Sequence, residues 1–128
     1  MVAWTEYKQT AKARGALALE LFVVESMPAK RPEDVKESLP AHLDYQKKLE
    51  EQGILVMAGP LSDPTGEIMV GGGLIIYRAN SMEEAKALTG NDPMHLSGAR
   101  SFTLRKWLVN EGSISVNVGL STGRATLA

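Results

Sequence analysis

Two kinds of hydrophobic repeat alternate along this chain, and their order restricts the folds that it can adopt. Apolar residues at every second position, or in a short run with β-branched residues, are typical of strands. They predict strands at residues 16–27, 54–58, 68–79 and 101–109. Stretches that favour helices lie between them, at residues 40–53 and 82–89. The predicted order is therefore strand, helix, strand, strand, helix, strand.

The ends of the two predicted helices carry local signals. Pro40 suits the first turn of a helix because that position needs no backbone N–H, and Gly53 is a typical residue just after a helix end. We therefore expect the first helix to begin near Pro40, after a loop at residues 31–38. Ser81 is a favourable N-cap for the second helix, and two glutamates follow in the first turn, where the helix dipole favours acids.

Some segments lie outside these six elements. We predict a single domain over residues 1–128, with its core at about 16–109. The other segments are expected to be a short helix at 4–14, a turn at 110–112, an extra strand at 114–120 and a frayed tail at 121–128.

This order of elements predicts an α+β fold, the ferredoxin-like split βαβ pattern with the order βαββαβ. Both helices of such a fold cover one face of the sheet, and the other face still needs cover. A homodimer that pairs two sheets face to face would provide that cover. The extra strand could also cross to the partner and close the edge of its sheet.

The composition argues against several classes of function. The chain has 128 residues and a formal net charge of -1, without a basic stripe, so we do not expect it to bind nucleic acid. It has no cysteine, which removes disulfides and thiolate chemistry and is consistent with a cytoplasmic setting. No apolar run approaches the roughly 20 residues of a membrane span, and no signal peptide is recognisable, so we expect no membrane partner.

His42 and Asp92 are the candidate catalytic pair. His42 is one of two histidines, and it shares an inward helical stripe with Tyr45 and Leu49. A buried imidazole is costly without a partner, and Asp92, in a turn before a proline, would supply one if the fold brings the two together. The alternative interpretations are a partly exposed helix histidine and an ordinary turn aspartate.

Gly59, Pro60 and Ser62 are the candidate ligand-binding residues. They follow a predicted strand, so that Gly59 would let a ligand approach the backbone and Ser62 would donate to a ligand oxygen. A simple turn explains them equally well. The run of three glycines from Gly71 lacks the Lys-Ser or Lys-Thr of a phosphate loop and is better explained by a bulge.

The second histidine, His95, is predicted to be exposed in a loop after Asp92; the alternative is a second polar group at the rim of the pocket. The two histidines and Asp92 together lack the local spacing of a metal site, so we expect no metal. Nothing in the sequence singles out a cofactor motif, and we expect no cofactor.

Several of these motifs, taken in order, resemble the YCII-related family over residues 18–107. The motifs that carry the resemblance are His42 with Leu43, Gly53, the run from Ala58 to Leu61, Ser81 with Glu83 to Ala85, and Asp92 with Pro93. The resemblance implies a dimeric α/β-barrel of ferredoxin-like subunits. It also implies an active site built on a histidine and an aspartate, which here would be His42 and Asp92.

The resemblance also suggests a type of chemistry, because one branch of the family is similar to an enzyme that eliminates HCl from a chlorinated lactone. We therefore expect a small-molecule enzyme that transfers a proton next to a carbonyl, in an elimination or isomerisation of a small carboxylate or lactone. His42 would move the proton and Asp92 would orient it. The alternatives are a module that binds a small molecule without turnover and a purely structural dimer.

Overall fold

Four strands form the central sheet of the computed structural model, which describes residues 1–127. They are β1 (Leu19–Pro28), β2 (Leu55–Ser62), β3 (Met69–Tyr77) and β4 (Arg100–Val109), in the spatial order β2-β3-β1-β4. Both β1 and β2 run antiparallel to β3, with Val24 and Ala58 each opposite Ile75. The helix α2 (Pro32–Glu51) connects β1 to β2, and α3 (Met82–Gly90) follows β3. This topology confirms the predicted α+β, ferredoxin-like fold.

The core lies on the face of the sheet that the helices cover. Phe22 and Val24 of β1 and Ile75 and Tyr77 of β3 are all buried, at alternate positions along their strands. They pack with Leu49 of α2 and with an alanine of α3. Because side chains alternate between the faces of a strand, Val23, Leu74 and Ile76 belong to the other face.

Two compact units can be distinguished, and residues 20–108 form the larger one. The smaller unit combines residues 1–19 with residues 109–127. It contains the helix α1 (Trp4–Ala13), which agrees with the short helix expected at 4–14. Asn110 accepts hydrogen bonds from the backbone of this unit, through its carbonyl from Leu17 N and through its side chain from Ala18 N.

The end of the chain differs from the prediction. The expected strand at 114–120 is limited to β5 (Val116–Val118), and the tail that was expected to fray contains β6 (Ala125–Leu127). These two strands pair antiparallel, with Asn117 opposite Thr126. A turn with local hydrogen bonds makes this possible: Gly119 N donates to Arg124 O at 2.8 Å, and Gly123 has a positive φ of 70°.

The start of α2 also differs from the prediction. Residues 32–38 of the expected loop are helical, because the helix begins at Pro32, and Pro40 lies in its interior. The rule that favours proline in a first turn applies equally to Pro32, and Glu33 and Asp34 follow it where the dipole favours acids. The other end agrees with expectation, because the helix stops at Glu51 and Gly53 has a positive φ of 74°.

The segment after α3 contains a helix that was not expected. Residues predicted as a loop form the one-turn helix α4 (Pro93–Leu96), with Asp92 as its N-cap. The predicted N-cap of α3 is confirmed, since the Ser81 hydroxyl accepts a hydrogen bond from Glu84 N at 3.0 Å. Asp92 therefore lies between the end of α3 and the start of α4.

The interior position of Pro40 gives the first prediction. A proline inside a helix removes one backbone hydrogen bond and crowds the preceding turn, at a cost of up to about 3 kcal/mol relative to alanine. Pro40→Ala should therefore raise the free energy of unfolding by about 1–3 kcal/mol, measured by urea denaturation. The matched control is Pro32→Ala at the first helical position, where no gain is expected. Equal effects of the two substitutions would contradict this account of α2.

Candidate functional site

A cavity of about 730 Å³ opens against the helix-covered side of the sheet within residues 26–100. Its walls are largely apolar side chains and glycines from α2, β2 and β3, and Gly59 and Pro60 are part of them. A few polar side chains interrupt these walls: Ser26, Lys36, His42, Gln46 and Arg100. A largely apolar concavity with few polar groups is typical of a small-molecule site.

The structure brings His42 and Asp92 into direct contact. The Nδ1 atom of His42 lies 2.8 Å from Oδ1 and 2.7 Å from Oδ2 of Asp92. The His42 side chain is 14% exposed and that of Asp92 is fully buried. Asp92 Oδ1 also accepts a hydrogen bond from Met94 N at 3.0 Å, as the N-cap of α4.

The contact fixes the tautomer of His42. A carboxylate only accepts hydrogen bonds, so Nδ1 must carry the proton that it donates to Asp92. The other ring nitrogen, Nε2, makes no hydrogen bond with the residues 1–127 that the structure describes. Since His42 lines the cavity, Nε2 is the atom of this pair that can exchange a proton with a ligand.

A second polar cluster lies in the same wall and involves His95. Its Nδ1 donates to the carbonyl oxygen of Thr89 at 2.8 Å, and its Nε2 lies 2.7 Å from Ser26 Oγ. Arg100 donates through Nε to the same Oγ and through Nη2 to Ser26 O, both at 2.8 Å, and also to Gly71 O. Ser26 and His95 are nearly sealed from solvent, at 3% and 9% exposure, whereas Arg100 is only partly buried and lines the cavity.

The expected exposure of His95 was wrong. The residue lies on α4, is only 9% exposed and packs against Phe102, with ring centroids 4.8 Å apart. Burial lowers the pKa of His95, although the hydrogen bond to Thr89 opposes this shift. A neutral ring protonated on Nδ1 accepts at Nε2, so Ser26 donates its hydroxyl proton to His95 and accepts from Arg100.

Ser62 lies outside the cavity. Its side chain is exposed, and its Oγ donates to Asp63 O at 2.8 Å. The structure therefore gives no support to its expected role in holding a ligand oxygen. Asp63 and the residues after it form the turn that connects β2 to β3, as the alternative interpretation had it.

The three glycines from Gly71 to Gly73 form part of the cavity wall in β3. The register of β2 and β3 shifts there, since Pro60 pairs with Gly73 but Ser62 pairs with Met69. Gly71 has a φ of 97°, and a Cβ atom on it would lie 2.7 Å from Pro28 Cγ. Only glycine fits this position, where the chain bulges and its carbonyl turns to Arg100.

Two residues of the site, Ser26 and Arg100, were missed at the sequence level, although a signal existed. Ser26 continues the alternation of the buried residues Phe22 and Val24, and Arg100 stands two residues before Phe102, which packs against the core. A polar residue in an inward register is a candidate site residue, because it must find a partner there. Among residues 1–127, no group of three or more His, Cys, Asp or Glu side chains is arranged to hold a metal.

Comparisons with known proteins give a family match and one informative fold match. The sequence profile of the YCII-related domain matches residues 5–108, which confirms the resemblance seen in the motifs. The uncharacterized protein YjpA of Bacillus subtilis (strain 168) is 32% identical over 72 residues, 56% of this chain and 78% of that protein.

No helix within residues 1–127 is long and apolar enough to cross a membrane.

Two solved structures are also similar. The first is 5-chloro-2-hydroxyhydroquinone dehydrochlorinase (TftG) from Burkholderia phenoliruptrix AC1100, in complex with 2,5-dihydroxybenzoquinone. Its TM-score is 0.55 at 22% identity, over 68% of this chain and 92% of that one, and it shares the fold. The second, a dimeric ferredoxin-like protein from an uncultured marine organism, has a TM-score of 0.46 at 13% identity, over 73% and 98%.

The burial of His95 predicts a pH dependence of stability. In the unfolded chain a histidine has a pKa of about 6.5, and the pKa in the fold is lower. Well above pH 6.5 the ring is neutral in both the folded and the unfolded state, so its titration does not change the free energy of unfolding. As the pH falls below about 6.5, the unfolded state binds the proton first, so stability decreases by at most about 1.4 kcal/mol per pH unit.

Urea denaturation between pH 5 and pH 8 would measure this slope. His95→Gln should make it shallower, since the amide does not titrate. NMR titration of the His95 ring in the wild-type protein provides an independent check. A ring that titrates above its ordinary value would contradict the neutral state assigned here.

Proposed function

The chain belongs to the YCII-related family, and we propose that it is an enzyme that transfers a proton on a small molecule bound in the cavity. His42 is the acid and base, and Asp92 orients its ring. The observation that carries this proposal is the contact of both Asp92 oxygens with Nδ1, which leaves Nε2 as the free nitrogen of a cavity-lining ring.

The proposed reaction is elimination or isomerisation next to a carbonyl, on a small carboxylate or lactone. In the first step Nε2 takes a proton from the carbon beside the carbonyl, and the C–H electron pair moves toward the carbonyl. In an elimination, a leaving group on the next carbon departs with its bonding pair. In an isomerisation, His42 returns the proton to another carbon. Asp92 stabilises the imidazolium that exists between the two steps.

Two features of the site support this assignment. The nearly complete burial of the pair keeps water from competing for the Asp92 oxygens, which strengthens the hydrogen bond to Nδ1. The apolar cavity walls favour the neutral parts of a small organic ligand. The fold neighbour TftG is named a dehydrochlorinase, and we therefore include halogenated compounds among the candidate substrates.

The test uses hydrogen–deuterium exchange, because it needs no knowledge of the complete reaction. A panel of small carboxylates, lactones and halogenated analogues is incubated with the protein in D2O, and exchange beside the carbonyl is followed by NMR. His42→Asn keeps a nitrogen where Nδ1 donates to Asp92 but has no Nε2. It should slow exchange by about 10²–10⁴-fold while the free energy of unfolding changes little.

Asp92→Asn should also slow exchange, because the amide can hold the wrong tautomer of the ring. The matched control is Asp44→Asn on the exposed side of α2, which removes the same charge and should leave exchange unchanged. Exchange that survives in His42→Asn would refute the proposed role of His42. Stabilisation by a ligand without any exchange or turnover would instead favour a binding module.

We also propose that the chain forms a homodimer through the face of the sheet opposite α2. On that face Met57 of β2, paired with Ile76, is 55% exposed, and Trp107 of β4 is 44% exposed. Large exposed apolar side chains on one sheet face favour contact with a partner, and a second copy offers the same surface.

Light scattering coupled to size-exclusion chromatography tests this proposal. The wild-type protein should have about twice the chain mass of 13.8 kDa, and Trp107→Glu should shift it toward the monomer. Leu96→Glu, at an exposed apolar residue of α4, is the control and should leave the mass unchanged. A wild-type monomer at all accessible concentrations would exclude the dimer.

A further inference from the structure

Arg100 has a guanidinium group that the fold holds rigidly at the cavity wall. Nε donates to Ser26 Oγ, and Nη2 donates to the carbonyl oxygens of Ser26 and Gly71. The third nitrogen, Nη1, makes no hydrogen bond with any residue that the structure describes. The two N–H donors of Nη1 are therefore available on a side chain whose orientation is fixed.

The charge of Arg100 is not balanced by any carboxylate beside it. All three of its acceptors are neutral, and within residues 1–127 it forms no ion pair at 4.0 Å or less. Asp92 is the acidic residue whose field acts on Arg100, but it is fully buried and its oxygens are bound to His42 and Met94.

The other charged residue of the cavity lining is also positive. Lys36 is a second cationic residue of the wall, and none of the lining residues is an aspartate or a glutamate. Partial burial lowers the pKa of Arg100, which reflects the cost of removing a cation from water. An anionic group bound at Nη1 would offset this cost through a charge-assisted hydrogen bond.

We propose that Arg100 is the anion-binding residue of the cavity and that its ligand is a small carboxylate rather than a neutral lactone. This inference rests on the proposed function, because it assigns the substrate class of the same cavity. The carboxylate binds at Nη1, and the remainder of the molecule lies against the apolar walls. Ser26, held by His95, is a positioning residue that fixes the guanidinium.

The test compares two probes of the same shape, benzoate and benzamide, which differ in charge. Binding is followed by NMR through the backbone amides of Gly71 to Gly73 and the ring of His42. The wild-type protein should bind benzoate at least about tenfold more tightly than benzamide, equivalent to about 1.4 kcal/mol. Arg100→Gln should abolish this preference and leave benzamide binding unchanged.

The matched control is Arg105→Gln, which removes the same charge from the same strand. Arg105 is exposed, pairs with Glu25 and does not line the cavity, so benzoate binding should stay at the wild-type level. Arg100→Lys keeps the charge without the planar donor set and should give an intermediate affinity. If Arg100→Gln fails to fold, the wild-type preference and the lysine variant still decide the question.

The outcomes separate this inference from the proposed function. His42→Asn should lose proton exchange but retain the preference for benzoate, because it leaves Arg100 intact. If His42→Asn retains exchange while Arg100→Gln loses benzoate, the function fails and the anion site stands. No preference for benzoate in the wild-type protein, no binding of either probe, or an equal loss in Arg105→Gln would overturn the anion site.

Discussion

The site depends on the hydrogen bonds between a fully buried carboxylate and the imidazole that covers it. An ionised aspartate in the interior is tolerated only if donors surround it, and Asp92 has His42 Nδ1 and Met94 N. These two donors belong to α2 and α4, so the requirements of one carboxylate connect both helices at the cavity wall. The same contact fixes the tautomer of His42 and leaves Nε2 without a hydrogen bond to the described residues, as the proposed proton transfer requires.

The two histidines of the chain show how partners determine the role of one residue type. Both rings donate through Nδ1, but His42 donates to a carboxylate and His95 to the neutral carbonyl of Thr89. The carboxylate beside His42 lies 2.7 Å from its Nδ1 atom. A positive charge on His95 would be repelled by Arg100. A proton on its Nε2 would also prevent the hydrogen bond that this atom accepts from the Ser26 hydroxyl. The proposed proton transfer therefore uses His42, whereas His95 connects Ser26 to Thr89 in the cavity wall.

The sequence predicted the features with local causes. Alternation and short apolar runs predicted the four strands of the sheet, and Ser81 and Gly53 marked helix ends through backbone requirements of their own. The start of α2 was wrong because Pro32 and Pro40 satisfy the same first-turn rule, and nothing local chooses between them. The approach of His42 to Asp92 spans fifty positions of the chain, so only the family resemblance indicated it. The inward register of Ser26 and Arg100 was readable, but their mutual contact was not.

In the proposed function, the charged residues of the cavity would bind the ligand while a different pair would transfer the proton. Asp92 is out of reach of solvent, so an anionic ligand would meet the ring of His42 rather than a competing carboxylate. Arg100 and Lys36 give the lining its positive charge, and they come from β4 and α2. The guanidinium is tied to neutral acceptors only, and its charge therefore remains available to a ligand. A negative charge that develops on a substrate during proton removal would also be favoured by this field. If Arg100 binds an anionic substrate as proposed, the same residue would also assist the proton transfer that is proposed for His42.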